Sequence, residues 1–106
     1  MTIDSDLTEF LAFYFSQDWD AIDPDPWGCV RRYAYIDGPV EEVEGAARQA
    51  RQLVALRLPS EELYERLYAD HGLIYMPARA GYEANDWLSQ VAGVLEDAVS
   101  QRRAGA

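Results

Sequence analysis

Apolar side chains recur at three- and four-residue steps in nearly every stretch between the prolines and glycines of this chain, and no two β-branched runs are present to pair as strands. That spacing is the α-helical period and conflicts with the strict alternation of a half-buried strand, so the fold class it predicts is all-α. The pattern is clearest over about residues 39–58, where Val40, Val43, Ala47, Ala50, Leu53 and Val54 make one stripe. Glu41, Glu42 and Glu44 occupy the first turn of this segment, and Arg48, Arg51 and Arg57 lie further along. The order suits the helix macrodipole, and Glu44 to Arg48 is a favourable four-residue pair.

Breakers set the other elements. A first helix, capped by Asp4 or Ser5, runs to about Ser16 with Leu7, Phe10, Leu11 and Tyr14 on its stripe. Phe13 and Phe15 fall off that stripe, which predicts burial on more than one side. Residues 18–26 form a loop, because Pro24 and Pro26 remove two backbone donors in close succession. Asp25-Pro26 then starts a second helix to about Ile36, with Val30, Tyr33 and Ala34 inward, and Asp37-Gly38-Pro39 stops it. Pro59-Ser60 introduces a fourth helix, about Glu61 to Asp70, which His71-Gly72 ends. Residues 72–77 read as an extended buried connector, and a last helix follows over about Glu83 to Arg102. The expected architecture is a single compact domain of about five helices over residues 1–106, with its core in about 5–102.

The composition supports a packed interior, with 49% apolar and 12% aromatic residues. The longest mainly apolar run, Phe10–Phe15, is too short to cross a bilayer, and the first residues carry acid where a secretory signal carries base. A lone cysteine, Cys29, makes no internal disulfide. Together these predict a cytoplasmic protein. Nineteen acids oppose nine arginines for a net charge of −10, and there is no lysine. A phosphate-loop lysine, a pyridoxal Schiff base and a lysine general base are therefore excluded. So negative a surface repels nucleic acid and anionic membrane and attracts basic proteins, besides keeping the domain soluble. Seven acids precede the first arginine, Arg31, which concentrates the negative charge towards one end of the chain.

Residue types that carry catalysis are scarce. His71 and Cys29 are each the only one of their kind, and no basic residue precedes the cysteine to activate it. Four zinc ligands cannot be assembled from them without carboxylates. Asp18, Asp20, Asp23 and Asp25 cluster within eight residues, and three readings are open: capping and solvation, a protein-binding face, or oxygen ligands for a divalent ion. A calcium loop starting at Asp18 would need glycine and glutamate where Asp23 and Cys29 stand. No metal and no cofactor is expected. Trp19 and Trp27, beside these acids, read as core plugs or as interface anchors.

The run Tyr14-Phe15-Ser16-Gln17-Asp18-Trp19-Asp20 resembles the signature of a contact-dependent growth inhibition (CDI) immunity protein family. That signature reads tyrosine-phenylalanine-histidine-glutamine-aspartate-tryptophan-aspartate, and Ser16 is the departure from it. Further parts agree in order: the helix from Glu41 to Leu58, then Pro59-Ser60-Glu61-Glu62-Leu63, the connector Gly72, Leu73, Tyr75 and Pro77, and a last helix opening with Trp87-Leu88. The resemblance spans about residues 7–99. It implies a cytoplasmic protein that binds and neutralises the C-terminal toxin domain of a large secreted effector, frequently a nuclease. A strongly acidic partner suits a basic nuclease by occupying the place of phosphate.

Physically, the signature residues Tyr14, Phe15 and Trp19 read as core, and Gln17 and Asp18 as the polar end of the first helix. The acids expected to face the toxin are Asp20, Asp23, Asp25, Glu41, Glu42 and Glu44. Two other classes of function fit the same residues: an acidic adaptor or nucleic-acid mimic without a dedicated toxin, and a metal-dependent hydrolase using the Asp18–Asp25 carboxylates.

Overall fold

The longest apolar stripes form the two helices at the centre of the fold. The computed structural model describes residues 6–16 and 18–105, so Gln17 and the expected caps Asp4 and Ser5 lie outside the described residues. Five helices follow in order: α1 (Asp6–Tyr14), α2 (Pro26–Arg32), α3 (Val40–Ala55), α4 (Ser60–His71) and α5 (Ala84–Ala104). Short 3-10 turns at Trp19–Ala21 and Pro77–Ala80 and a π turn at Tyr33–Asp37 complete the described architecture, and no strand occurs among the described residues. The protein is all-α.

Helix α3 lies along α5, the most extensive packing in the fold. Its stripe of Val43, Ala46, Ala47 and Ala50 is buried, and small side chains there let the two helices approach closely. Helix α1 crosses the other side of α3, where the Gln49 side chain accepts from the Leu7 backbone N–H at 2.9 Å. That bond satisfies one of the donors a helix start leaves unpaired. The interior is aromatic. Phe10 stacks on Tyr33 at 4.4 Å, and Phe15 meets Trp87 edge-on at 5.6 Å. Trp87 and Leu88, at 1% and 0% exposure, put the start of α5 under the whole assembly. Fully burying one such side chain contributes about 1.5–3 kcal/mol.

The boundaries differ from the sequence expectations where tertiary contacts intervene. Helix α2 starts at Pro26 as expected, with Asp25 accepting from the Trp27 N–H at 3.1 Å. It does not stop at Ile36 but widens into a π turn over Tyr33–Asp37, closed by Gly38 N–H to the Tyr33 carbonyl at 2.8 Å. Helix α3 ends at Ala55 rather than Leu58, because Arg57 takes a left-handed φ of 53° ahead of the extended residue that Pro59 demands. Asp18 makes no side-chain cap, contrary to the role read for it. Phe15 is fully buried, whereas Phe13 stands 67% exposed, so α1 buries less of its circumference than expected. The connector after α4 is only partly interior. Leu73 and Pro77 are buried, while Ile74 and Met76 point outwards at 42% and 45% exposure.

Candidate partner-binding surface

No polar or charged residue is buried as a whole among those described, although the Asn85 Oδ1 atom is buried without a hydrogen-bond partner. The two groups that could have formed a nucleophilic dyad have separate partners. Cys29 donates weakly to the carbonyls of Trp19 and Asp23 at 3.6 and 3.7 Å. Burial and then the neighbouring Asp23 charge push its thiol pKa up, which keeps it a protonated, poor nucleophile. His71 instead pairs through Nδ1 with Thr8 Oγ1 at 2.8 Å, and burial lowers its pKa.

The acids of the 18–25 loop are divided between structural and unpaired roles. Asp23 accepts from the Asp25 N–H at 2.8 Å and lies against Gly28, where a Cβ would collide with its carboxylate. Asp25 caps α2 with one oxygen and holds Arg31 with the other at 3.2 Å. Asp20 is exposed and has no hydrogen bond or ion pair among the described residues. Asp23 and Asp25 are thus drawn into turn and cap geometry, and no three acids of the loop converge on one point among the described residues.

On α3 the expected Glu44–Arg48 pair gives way to a cross-helix contact. Glu44 takes two bonds from Arg103 of α5, at 2.7 and 3.0 Å, and this guanidinium holds its carboxyl below the usual range. Arg51 grips Glu96 in the same forked manner at 2.9 and 2.8 Å and also donates to Ser89. These two forks border a groove of about 720 Å³ between α3 and α5, floored by Ala47 and Val99. Both acids of this groove are paired, while Arg48 on the same lining has no ion pair among the described residues, so the groove presents no free carboxylate to a partner. Glu41 and Glu42 are different. Both are exposed without an ion pair among the described residues. One Glu42 oxygen lies within 4.8 Å of carboxylate oxygens on Asp6 and Glu9 of α1, a meeting that spacing along the chain did not reveal.

The signature residues converge on one joint. Phe15 offers its carbonyl to the N–H groups of Ile74 and Tyr75 at 3.0 and 3.1 Å, fastening the connector to the end of α1. Trp19 packs edge-on against Tyr75 at 5.1 Å, and Tyr75 reaches Phe15 and Trp87 at 5.4 and 6.3 Å. Tyr14 donates to Asp37 at 2.6 Å, tying α1 to the π turn. The pattern of tyrosine, phenylalanine and tryptophan is therefore explained by packing. A family model described as CdiI immunity protein matches residues 5–95.

This chain belongs to the CdiI immunity protein family.

Comparison with curated proteins and with solved structures returned no match. The immunity-family signature forms the joint, and the joint presents a surface of its own. Tyr75 and Met76 form a ridge with a groove on each side, of about 350 and 330 Å³. Trp19, Ile74 and Arg79 line one groove, and Tyr64, Tyr68 and Glu65 line the other. Tyr68 and Met76 are 61% and 45% exposed, which gives this CdiI-family chain aromatic and thioether anchors beside acids. Sequence reading placed Tyr68 on a helix and Met76 inside a connector. Only the tertiary placement shows them side by side.

Proposed function

We propose that this chain neutralises a contact-dependent growth inhibition toxin by binding it stoichiometrically in the cytoplasm, and that the toxin is a basic nuclease domain at the C-terminus of a large secreted effector. The family match over residues 5–95 carries this reading. The net charge of −10 supports the nuclease assignment, because a domain that holds phosphate needs a basic cleft. Occupying that cleft requires no bond-making by the inhibitor, and charge complementarity speeds capture to about 10⁸–10⁹ M⁻¹s⁻¹ at low salt.

Of the six acids assigned to the toxin-facing surface, Asp20, Glu41 and Glu42 have charge unused by the fold, and they lead. Asp23, Asp25 and Glu44 contribute less, because turn, cap and cross-helix bonds already engage them. The Tyr75–Met76 ridge supplies apolar area, with Glu61 and Glu65 as the acids lining one of its grooves. The test is co-expression with the proposed cognate toxin domain. The wild-type chain restores growth, and the combined Asp20→Asn, Glu41→Gln and Glu42→Gln variant slows association about tenfold at low salt. Growth arrest despite abundant folded wild-type chain would refute neutralisation. Unchanged association in the triple variant would refute the acid assignment alone.

A further inference from the structure

Helix α4 carries a second periodic face besides the one it buries. Leu63 and Leu67 pack into the core, whereas Glu61, Tyr64, Glu65 and Tyr68 recur at steps of three and four along a half-buried to exposed face. All four line the groove of about 330 Å³ beside the Tyr75–Met76 ridge, and Leu73 lies within it.

The fold holds this lining in place. The Tyr64 hydroxyl donates to the Tyr82 carbonyl at 2.7 Å, which fixes that ring. The Tyr75 N–H donates to the Phe15 carbonyl at 3.1 Å, and its ring meets those of Trp19 and Phe15. Gly72, in its left-handed conformation, turns the connector so that the Leu73 N–H reaches the Leu67 carbonyl at 3.0 Å. The binding capacity of the groove, by contrast, is unused. Glu61 and Glu65 are exposed and have no hydrogen bond or ion pair among the described residues. Tyr68 is 61% exposed with no ring against it, and none of the nine arginines lines the groove.

Aromatic faces and apolar walls beside two uncompensated carboxylates match a long side chain with an apolar stem and a cationic head. Arginine fits better than lysine, because its planar guanidinium stacks on a ring and forks to a carboxylate. The groove on the other side of the ridge has the opposite sign, with Arg79 and no acid in its lining. The volume on the α4 side admits an extended side chain, not a folded element. Resting on the reading that the partner is a basic toxin domain, we propose that the α4 groove receives one arginine side chain of the bound toxin. Its stem lies along Leu73 and Met76, and its guanidinium covers the Tyr68 ring and reaches Glu61 and Glu65. Such a contact governs how long the complex lasts, whereas Asp20, Glu41 and Glu42 govern how fast it forms.

Chemical-shift titration of the full chain by nuclear magnetic resonance tests the groove without the toxin, using a capped glycine-arginine-glycine peptide as probe. Shifts centred on Tyr64, Tyr68 and Met76 are expected, with a Kd of about 1–10 mM. The citrulline peptide, which keeps the shape and loses the charge, binds about fivefold more weakly. Glu61→Gln with Glu65→Gln causes the same loss, and Glu41→Gln with Glu42→Gln, an equal charge change on α3, does not. Shifts centred elsewhere, or citrulline binding as tightly as arginine, would overturn the cation groove. A lysine peptide that binds as tightly would overturn the choice of arginine. With the proposed cognate toxin domain, the Glu61/Glu65 variant and Tyr68→Ala each speed dissociation about tenfold. Unchanged dissociation in both would overturn the toxin as occupant. If the wild-type chain forms no complex, neutralisation fails and the toxin falls as occupant with it, while the peptide result still decides whether the groove takes a cation.

Discussion

Replacing Arg102 should unsettle the fold more than removing any of its surface ion pairs. The Arg102 guanidinium reaches from the last turn of α5 to two carbonyls, that of Ala34 near the start of the π turn at 2.8 Å and that of Gly38 just after it at 2.7 Å. Both acceptors belong to buried residues, and the Gly38 N–H that an α-helix would give the Ala34 carbonyl goes to Tyr33 instead. A hydrogen bond to a charged donor contributes about 1.5–3 kcal/mol, and two sharing one nitrogen are worth less than twice that. Arg102→Met keeps the aliphatic stem and removes the donor, so its cost should be about 3 kcal/mol, lowering Tm by about 12 °C or more. Arg102→Lys retains one point donor and should lose about half as much. Urea unfolding of the three proteins, followed by far-ultraviolet circular dichroism, provides the comparison. A change within about 0.5 kcal/mol for Arg102→Met would mean that water serves these carbonyls as well as the guanidinium does.

Three further predictions concern backbone and pH. Gly72 holds a left-handed φ of 71° at the end of α4, and a Cβ there would approach the Ala12 Cβ to 2.9 Å, so Gly72→Ala should cost about 2 kcal/mol in the same unfolding assay. Arg57 is the one described non-glycine residue with positive φ, at 53°, and Arg57→Gly should stabilise the chain by up to about 1 kcal/mol because the left-handed strain disappears. Burial keeps the His71 pKa below its ordinary value of 6.5, so the folded chain favours the neutral ring. Stability should therefore hold above pH 6.5 and decline as pH falls from there towards the folded-state pKa, a slope that His71→Gln should flatten in a pH series of unfolding curves.

What could be read from the residues alone depended on whether the deciding contact was local. Asp25-Pro26 contains both the cap and the first helical residue of α2, and the helix begins there. The stripe in residues 39–58 identified the buried face of α3 because burial follows directly from the helical period. The π turn was not legible, since its extra residue is stabilised from α5 by Arg102, 64 residues beyond Gly38. Phe13 and Phe15 look equivalent along the chain. Only the docking of Tyr75 and Trp87 on Phe15 separates the buried ring from the exposed one. The pairing of acids was hidden for the same reason: Glu44 had a suitable arginine four residues on, but Arg103 bridges it from another helix. Asp6 and Glu9 were visible as part of an acidic end, while their meeting with Glu42 follows from how α1 crosses α3.

Stopped-flow association with the purified domain of the proposed cognate toxin, across a salt series and with stoichiometry from light scattering, puts the central claim to its most direct trial. A one-to-one complex is expected, with an association rate that falls at least about tenfold between roughly 0.05 and 0.5 M salt. Absence of a complex, or one whose formation rate ignores salt, would contradict inhibition through complementary charge.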